Sequence, residues 1–553
     1  MILTRFSFFL HLAATVSAIA QQFTPTQEAL QAMGAVSPGS FMGHIRFFSD
    51  DRLEGRGPGT RSDRLTQLYI ASHMEMLGLK PAGENGTYFQ RVPIVSMQTD
   101  PSTTLSVSGT KGVLDLKYAS EFVAFTGNQQ TEVSVSDAEI VFVGYGIVAP
   151  EQGWDDYKDV DVAGKVLMMM NNDPSPDDPR IFGGKARTYY GRWTYKYEIA
   201  AKKGAAGAII IHTTESAGYG WNVVESSWSG GRAELGLKPG TPRTKVNGWT
   251  TLDATNKILS LAGKSLDKLQ SSAQKKSFKP VPLGIKASIT VRTKIGQLET
   301  ANVLGALQGS DPQLKDEVVV FGAHHDHLGI GKPVKGDSIY NGAVDNASGS
   351  SALLNIGRMF TALKEQPHRS ILFAALAAEE SGLIGSQYYA ENPTYPPGKI
   401  AAYINIDGIN VLGKTNDMGV IGFGKSSIDK IAEAVAAWQG RVLKPDQFPE
   451  QGSFYRSDQF NFAKIGVPCM YLKVGTDYVG KPPGFGHEKH DEYIKNDYHQ
   501  PSDETKPEWD LSGAVVDAQL MFLVGLKIAG DDAMPVWNKG DEFEAARLKA
   551  LGQ

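Results

Sequence analysis

From Asn302 onward, short runs of consecutive apolar residues alternate with longer amphipathic stretches. Glu317 to Phe321, Ser370 to Ala375 and Ile400 to Ile406 are apolar at successive positions, the pattern of strands buried on both faces. Ser348 to Lys364, between the first two, has the spacing of a helix. This alternation predicts an α/β architecture, a mixed, mostly parallel central sheet flanked by helices. In such sheets ligands sit beyond the carboxyl ends of the strands. His324, Glu379-Glu380 and Asp407 fall just there, each directly after one of the apolar runs.

Upstream the pattern differs. Residues 24–125 begin with helical spacing, including Leu65 to Gly78, and continue with strand alternation such as Thr104-Leu-Ser-Val107. From Glu132 to Val291, Ala138 to Gly146, Lys165 to Met170 and Gly207 to Ile211 read as strands, and Glu198 to Lys203 as a short helix. Ser216 to Lys245, rich in Gly, Ser and Trp, reads as a long loop, and Gly540 to Gln553 as a charged surface helix. A chain of 553 residues exceeds one ordinary core. Three regions follow the first twenty residues, 21–131, 132–291 and 292–553.

The first twenty residues stand apart. Arg5, the apolar run Phe6 to Ala20 and the ending Ala18-Ile19-Ala20 form the three parts of a signal peptide. Cleavage after Ala20 and a secreted or periplasmic location follow as expectations. The single cysteine, Cys469, lies in an apolar stretch, permits no intrachain disulfide and reads as a buried thiol. No later run reaches the roughly 18 uninterrupted apolar residues of a membrane span, so no membrane anchor is expected. A net charge of -5 offers no basic footprint for nucleic acid. The sequence sets no oligomeric state.

The candidate chemistry lies in small-residue loops. His324 and Asp326 are two apart, so in extended chain both point one way, and Asp326 is placed to accept the second imidazole N–H. His325 and His327 then point elsewhere and read as structural. Asp345 lies between Gly342-Ala-Val and Asn-Ala-Ser-Gly349, where small residues allow close backbone approach. Glu379 and Glu380 end an apolar strand, and two adjacent buried carboxylates repel unless cations compensate. In extended geometry they diverge, leaving one for a metal and its neighbour for a substrate. Asp407 ends the next strand, and His499 lies in the loop Asp497-Tyr-His-Gln-Pro-Ser-Asp503, with His487 and His490 as rivals nearby. Nitrogen and oxygen donors of this kind suit two zinc ions sharing one bridging carboxylate.

Taken together, Ala323-His-His-Asp-His327, Gly342-Ala-Val-Asp-Asn-Ala-Ser-Gly349, Ala378-Glu-Glu-Ser-Gly-Leu-Ile-Gly-Ser386, Asn405-Ile-Asp-Gly408 and Tyr498-His-Gln-Pro-Ser-Asp503 resemble the zinc aminopeptidase family known as peptidase family M28. Leu53-Glu-Gly-Arg-Gly-Pro-Gly-Thr60 and Leu77-Gly-Leu-Lys-Pro81 add to the resemblance. The middle region, with Gly144-Tyr-Gly146 and Val162-Ala-Gly-Lys-Val166, resembles the mainly-β protease-associated (PA) domain inserted in some members. The resemblance implies two Zn2+, one held by His324, Asp345 and Glu380, the other by Asp345, Asp407 and His499. It implies Glu379 as general base, Asp326 as the partner of His324, and a cis peptide between Asp345 and Asn346. Tyr455, Arg456, Ser457 and Asp458 look like the family's substrate-pocket stretch, with Gln459 where a histidine is common, and Tyr498 or Tyr455 is a candidate oxyanion donor.

The implied activity is removal of N-terminal residues from peptide substrates. A carboxypeptidase of the glutamate-carboxypeptidase type is the rival, because Arg456 offers a cation to a terminal carboxylate. A receptor or binding protein without catalysis is a third reading; all the expected ligands being present weighs against it.

Overall fold

The computed structural model describes residues 23–553 except 175, 176, 179, 185, 218 and 230; the expected signal peptide lies outside the described residues. A mixed sheet runs in the order Gly231–Leu235, Phe89–Thr99, the second half of Val281–Leu307, Ser370–Leu376, Val318–His324, Ile400–Asn405, Cys469–Lys473, Asp417–Ile421 and Val442–Pro445, with the short strand Lys80–Pro81 also on Val281–Leu307. Its middle four, from Ser370–Leu376 to Cys469–Lys473, are parallel to one another. Every residue of Val318–His324, Ser370–Leu376 and Ile400–Asn405 is buried, as their unbroken apolar runs require when helices cover both faces.

One face is covered by Pro38–Phe48, Arg61–Met76, Gly349–Thr361, Ile428–Trp438 and Ser512–Gly530, whose apolar sides join one core. Ser512–Gly530 is, among the described residues, the one helix long and apolar enough to cross a membrane, and here it packs inside the protein. Its Gly525 is obligatory. A Cβ there would stand 2.3 Å from the ring of Phe321.

A second core draws on residues from Leu105 to Val291 and surrounds another sheet. That sheet includes the parallel strands Glu132–Phe142, Val166–Met170, Gly207–Ile211 and Val246–Thr250, with Phe122–Thr126 antiparallel on the last. Thr104–Gly109 also pairs into it. The second core therefore begins about 25 residues before the change of pattern at Glu132, because the strands ahead of that change find their partners here. Two local expectations fail. Ser216 to Lys245 contains the helix Trp221–Ser229 and the strand Gly231–Leu235; Trp228 and Val224 bury against the second core, and the strand is held at the edge of the main sheet by Phe89–Thr99. The tail helix, Glu544–Ala550, is not purely a surface element, since the Arg547 guanidinium is buried and donates to the carbonyls of Pro397 and Ile400.

Both sheets share the 27-residue strand Val281–Leu307. Its first part pairs with Glu132–Phe142 in the second core, and Thr293 to Val303 pair with Phe89–Thr99 in the main sheet. Burial alternates along the first part and becomes continuous from Thr300 to Ala306, so one strand serves a one-faced and then a two-faced environment.

Arg56 ties the N-terminal segment to the loops beyond the parallel strands. Fully buried, it donates to the carbonyls of Phe48, His325, Asn341 and Gly342 at 2.5, 3.0, 2.6 and 3.0 Å. Burial holds its pKa below the ordinary arginine range, partly offset by Asp326 and Asp503. Arg56→Met should leave those carbonyls without a donor and lower unfolding free energy by about 2–4 kcal/mol. Urea denaturation would measure it; a change under about 0.5 kcal/mol, the usual size for surface substitutions, would remove Arg56 from the scaffold.

Candidate metal centre

Three consecutive parallel strands deliver the acidic and imidazole groups. His324 is the last residue of Val318–His324; Glu379 and Glu380 follow Ser370–Leu376; Asp407 follows Ile400–Asn405. Asp345 comes from the turn before helix Gly349–Thr361, and His499 from the loop after helix Phe485–Asn496. The turn at Asp345 needs Gly342, whose φ is +56° and whose absent Cβ would meet the Asp345 carbonyl at 2.1 Å and the His327 ring at 2.6 Å. The peptide between Asp345 and Asn346 is cis.

Two sets of donor atoms converge. His324, Glu379 and Asp407 form one cluster able to hold a metal; His327, Asp345 and Glu380 form another. Asp345 stands between them. Its Oδ1 is 3.3 Å from His324 Nε2 and its Oδ2 is 3.3 Å from His499 Nε2. Asp407 Oδ1 lies 3.7 Å from His324 Nε2, and Glu380 Oε2 lies 3.1 Å from His499 Nε2. The pairing thus differs from the expectation: Asp407 stands with His324, and Glu380 with His499. The strand of His324 lies between those leading to Glu380 and Asp407, so the choice is made by where the side chains stand beyond the strand ends, with Asp407 nearer His324 and Glu380 nearer His499. His499 Nε2, shut off from solvent between two carboxylates, makes a hydrogen bond to neither. Donor atoms that crowd without bonding one another suit a cation between them.

The surroundings hold these groups in place. His324 Nδ1 lies 3.3 Å from the Asp326 carbonyl and 3.8 Å from its carboxylate. The carbonyl, rather than the expected carboxylate, is the partner of the imidazole. The Asp326 carboxylate instead accepts from the amides of Glu379 and Glu380, at 3.0 and 3.3 Å, joining two strand ends. Asp503 does the same for the next loop, accepting from the amides of Val344 and Asp345, both at 3.0 Å. Asn346 bonds the carbonyls of His324 and Ile406 and accepts from the amides of Gly349 and Gly408. Lys473 donates to the Asp407 carbonyl at 3.1 Å. His327 is not merely a loop residue: its Nδ1 is 2.6 Å from Glu380 Oε1, which orients that carboxylate.

Electrostatics follow from burial and crowding. Burial, then Glu380, Asp407 and Asp458, push the Glu379 carboxyl well above the usual range, against the pull of His324. Burial would raise Asp345 too, but the imidazoles of His324 and His499 outweigh it and hold Asp345 well below. His499 goes the other way: burial would lower it, while Glu380 and Asp345 raise it to about 10. Burial raises Asp326 to about 7.

A cavity of about 780 Å3 opens over the cluster, lined by His324, Asp345, Glu379, Glu380, Asp407 and His499. Tyr455, Arg456, Ser457 and Tyr498 line it as well; Asp458 does not, and lies buried behind. Tyr498 stacks on the His499 ring at 3.9 Å. The Tyr455 hydroxyl donates to Glu542 at 2.7 Å, so it is committed away from an oxyanion. Ser457 accepts from Asn405 at 2.9 Å, and Gln459 donates to the Phe454 carbonyl at 2.6 Å from a fully buried position. Arg192 before helix Trp193–Lys202, Trp193, Tyr197 and Glu198 within it, and Arg232 of strand Gly231–Leu235 line the cavity too, none of which carries a sequence signal for such a place.

Residues 302–523 match the family model described as Peptidase family M28. Over 132 residues, 23% of this chain and 16% of the relative, the sequence is 37% identical to Aminopeptidase NAALADL1 of Mus musculus. Over 179 residues, 32% of this chain and 36% of the relative, it is 30% identical to Leupeptin-inactivating enzyme 1 of Streptomyces exfoliatus. The chain thus spans well under half the length of these curated relatives. Among solved structures, Aminopeptidase from Aneurinibacillus sp. strain AM-1 aligns with a TM-score of 0.49 and 18% identity, over 90% of this chain and 95% of that one. The segment that carries the whole donor cluster, residues 302–523, belongs to peptidase family M28.

Proposed function

We propose that this chain is an exported zinc aminopeptidase with two metal ions per active site. The observation that carries the reading is Asp345 reaching two imidazoles with its two oxygens, each imidazole having a carboxylate of its own. In this reading His324, Asp345 and Asp407 hold one zinc, and Asp345, Glu380 and His499 the other. Mixed imidazole and carboxylate donors suit zinc, and a shared carboxylate suits a pair. Zinc bound there supplies a Lewis acid for the peptide carbonyl and lowers the pKa of water at the site.

The chain's own residues do the rest. Glu379 lines the cavity, and its backbone is held by Asp326. Its carboxylate takes the proton of the attacking water at Oε and returns it to the nitrogen of the departing amine. Asp326, Asp503 and Asn346 keep the strand ends from relaxing, and His327 aims Glu380. Tyr498 stands in the cavity beside His499 as the remaining candidate donor to the developing oxyanion.

The N-terminal ammonium of a peptide is favoured by the carboxylates gathered here, and the names of the relatives Aminopeptidase NAALADL1 and Leucine aminopeptidase 2 support that polarity. Arg456 in the cavity favours the carboxypeptidase reading as the second choice. Removal of residues 1–20 on export and a PA-type insert built on the second core complete the proposal.

Metal analysis of the purified protein should give two zinc ions per chain. Asp345→Ala should lose both and His499→Ala one; an Asp345→Ala protein that keeps one tightly bound zinc would break the shared-ligand assignment. Glu379→Gln should keep both ions while kcat falls about 10²–10⁴-fold. Retained turnover would require another base. Mass spectrometry of the products from Leu-Ala-Phe should show free leucine and Ala-Phe first, whereas early release of phenylalanine would move the protein to the carboxypeptidases.

A further inference from the structure

The chain beyond residue 523, outside the segment that matches the family, returns to the cleft. After helix Ser512–Gly530 it packs against the stretch 453–460, part of which lines the cavity. Trp537 donates its indole N–H to the Gly466 carbonyl at 3.0 Å, and the Asn538 amide donates to the Lys425 carbonyl at 2.8 Å. Phe543 stacks on Phe454 with 5.9 Å between ring centres. Trp537 and Phe543 are buried, and their contacts are those of an ordinary core. The two acids just before Phe543 do something else.

Asp541 and Glu542 share one cation. Lys425 Nζ lies 2.7 Å from Asp541 Oδ2 and 3.1 Å from Glu542 Oε1, so Lys425 keeps a carboxylate if either acid is lost. The same Glu542 oxygen accepts the Tyr455 hydroxyl at 2.7 Å, and among the described residues that hydroxyl has no other hydrogen-bond partner. The Tyr455 ring is half-buried and lines the cavity. Its ring neighbours there are Tyr189, nearly parallel at 6.5 Å, and Phe460, edge-on at 5.6 Å. Ring contacts are soft and tolerate sliding, whereas a hydrogen bond to an ionised carboxylate is short and directional. The bond to Glu542 therefore fixes how far the ring stands into the cavity. At the other end of the site Glu379 is held through Asp326, without help from the tail.

We propose that Glu542 is a positioning residue for substrate binding: from outside the matched segment it fixes the Tyr455 ring in the cavity wall and so sets how tightly the cleft holds a peptide. Glu542 does not itself line the cavity and acts through Tyr455. The proposal rests on the exopeptidase reading and deepens it. It differs from a purely structural role, in which Glu542 only fastens the tail through Lys425. Loss of a fastening lowers stability and the amount of folded protein, but leaves the KM of the folded molecules where it was.

The test is a double-mutant cycle on E542A and Y455F, read in steady-state kinetics on Leu-Ala-Phe. Rates are counted as new amine groups, so cleavage from either end reads the same. Each single variant should raise KM about three- to tenfold, as loss of one charge-assisted hydrogen bond allows, with kcat within about twofold of wild type. The double variant should be no worse than the weaker single one, because both changes remove the same bond. E542Q, whose amide oxygen still accepts from the hydroxyl, should recover most of the wild-type KM. An unchanged KM in E542A, the same rise in E542Q as in E542A, or single effects that multiply in the double variant would each overturn the proposal. If E542A does not fold, as judged by circular dichroism, Y455F and E542Q carry the test: the first must raise KM and the second must not. If the wild-type protein cleaves no peptide, the exopeptidase reading fails by itself. Calorimetric titration with Leu-Ala-Phe then decides the role of Glu542: weaker binding to Y455F than to wild type and E542Q supports it, and equal binding or none overturns it.

Discussion

The structure is organised around one electrostatic constraint: several carboxylates must sit side by side, out of water, with only a few imidazoles among them. Asp345, Glu379, Glu380 and Asp407 face one cavity, while Asp326, Asp458 and Asp503 lie buried around it. Two like charges 4 Å apart at an effective dielectric near 20 repel by about 4 kcal/mol. Such a cluster does not assemble by side-chain preference; it has to be imposed by backbone. The fold imposes it by ending three neighbouring parallel strands at one edge, where each strand's hydrogen bonding fixes the position of the residue that follows.

That explains why so much of the surrounding polar chemistry is spent on main chain. Asp326 and Asp503 accept amides; Arg56 and Asn346 bond carbonyls. Each crosses between segments far apart in sequence, so each converts a flexible loop end into part of a rigid rim. The first-choice acids at the centre are thereby free of hydrogen-bonding duties, with His327 on Glu380 as the main exception. Cations entering such a rim relieve repulsion that the rest of the protein already holds in place.

Much of this was legible in the sequence, and the boundary has a physical cause. Buried parallel strands announce themselves as unbroken apolar runs, and the residue after each run is placed by topology alone, so His324, Glu379, Glu380 and Asp407 could be picked out. What a single sequence does not encode locally is which strand lies beside which. Nor does it encode which of the two acids on the neighbouring strands meets His324, and so the pairing of Asp407 with His324 differed from the reading. His327 and Asp503 were hidden for a related reason: their partners are a carboxylate and amides distant in sequence. Residues 216–245 misled because Gly and Ser dilute an apolar pattern that becomes visible only when Trp228 and Val224 meet the second core.

The second core also shows how a cleft can be dimensioned from outside its chemistry. Strand Val281–Leu307 runs through both sheets, so the two cores share a covalent and hydrogen-bonded spine. At the far side the cores meet again: the Arg187 amide donates to the Pro449 carbonyl, Tyr189 packs on Phe460 at 5.1 Å, and Gly452 (φ +63°) leaves room for the Arg187 stem. A wall fastened at both ends cannot swing freely. Its distance from the metal centre is then set by packing rather than by the ligand. The span of the cleft is therefore part of the fold, and residues such as Gly452, outside the cluster of donor atoms, take part in setting it.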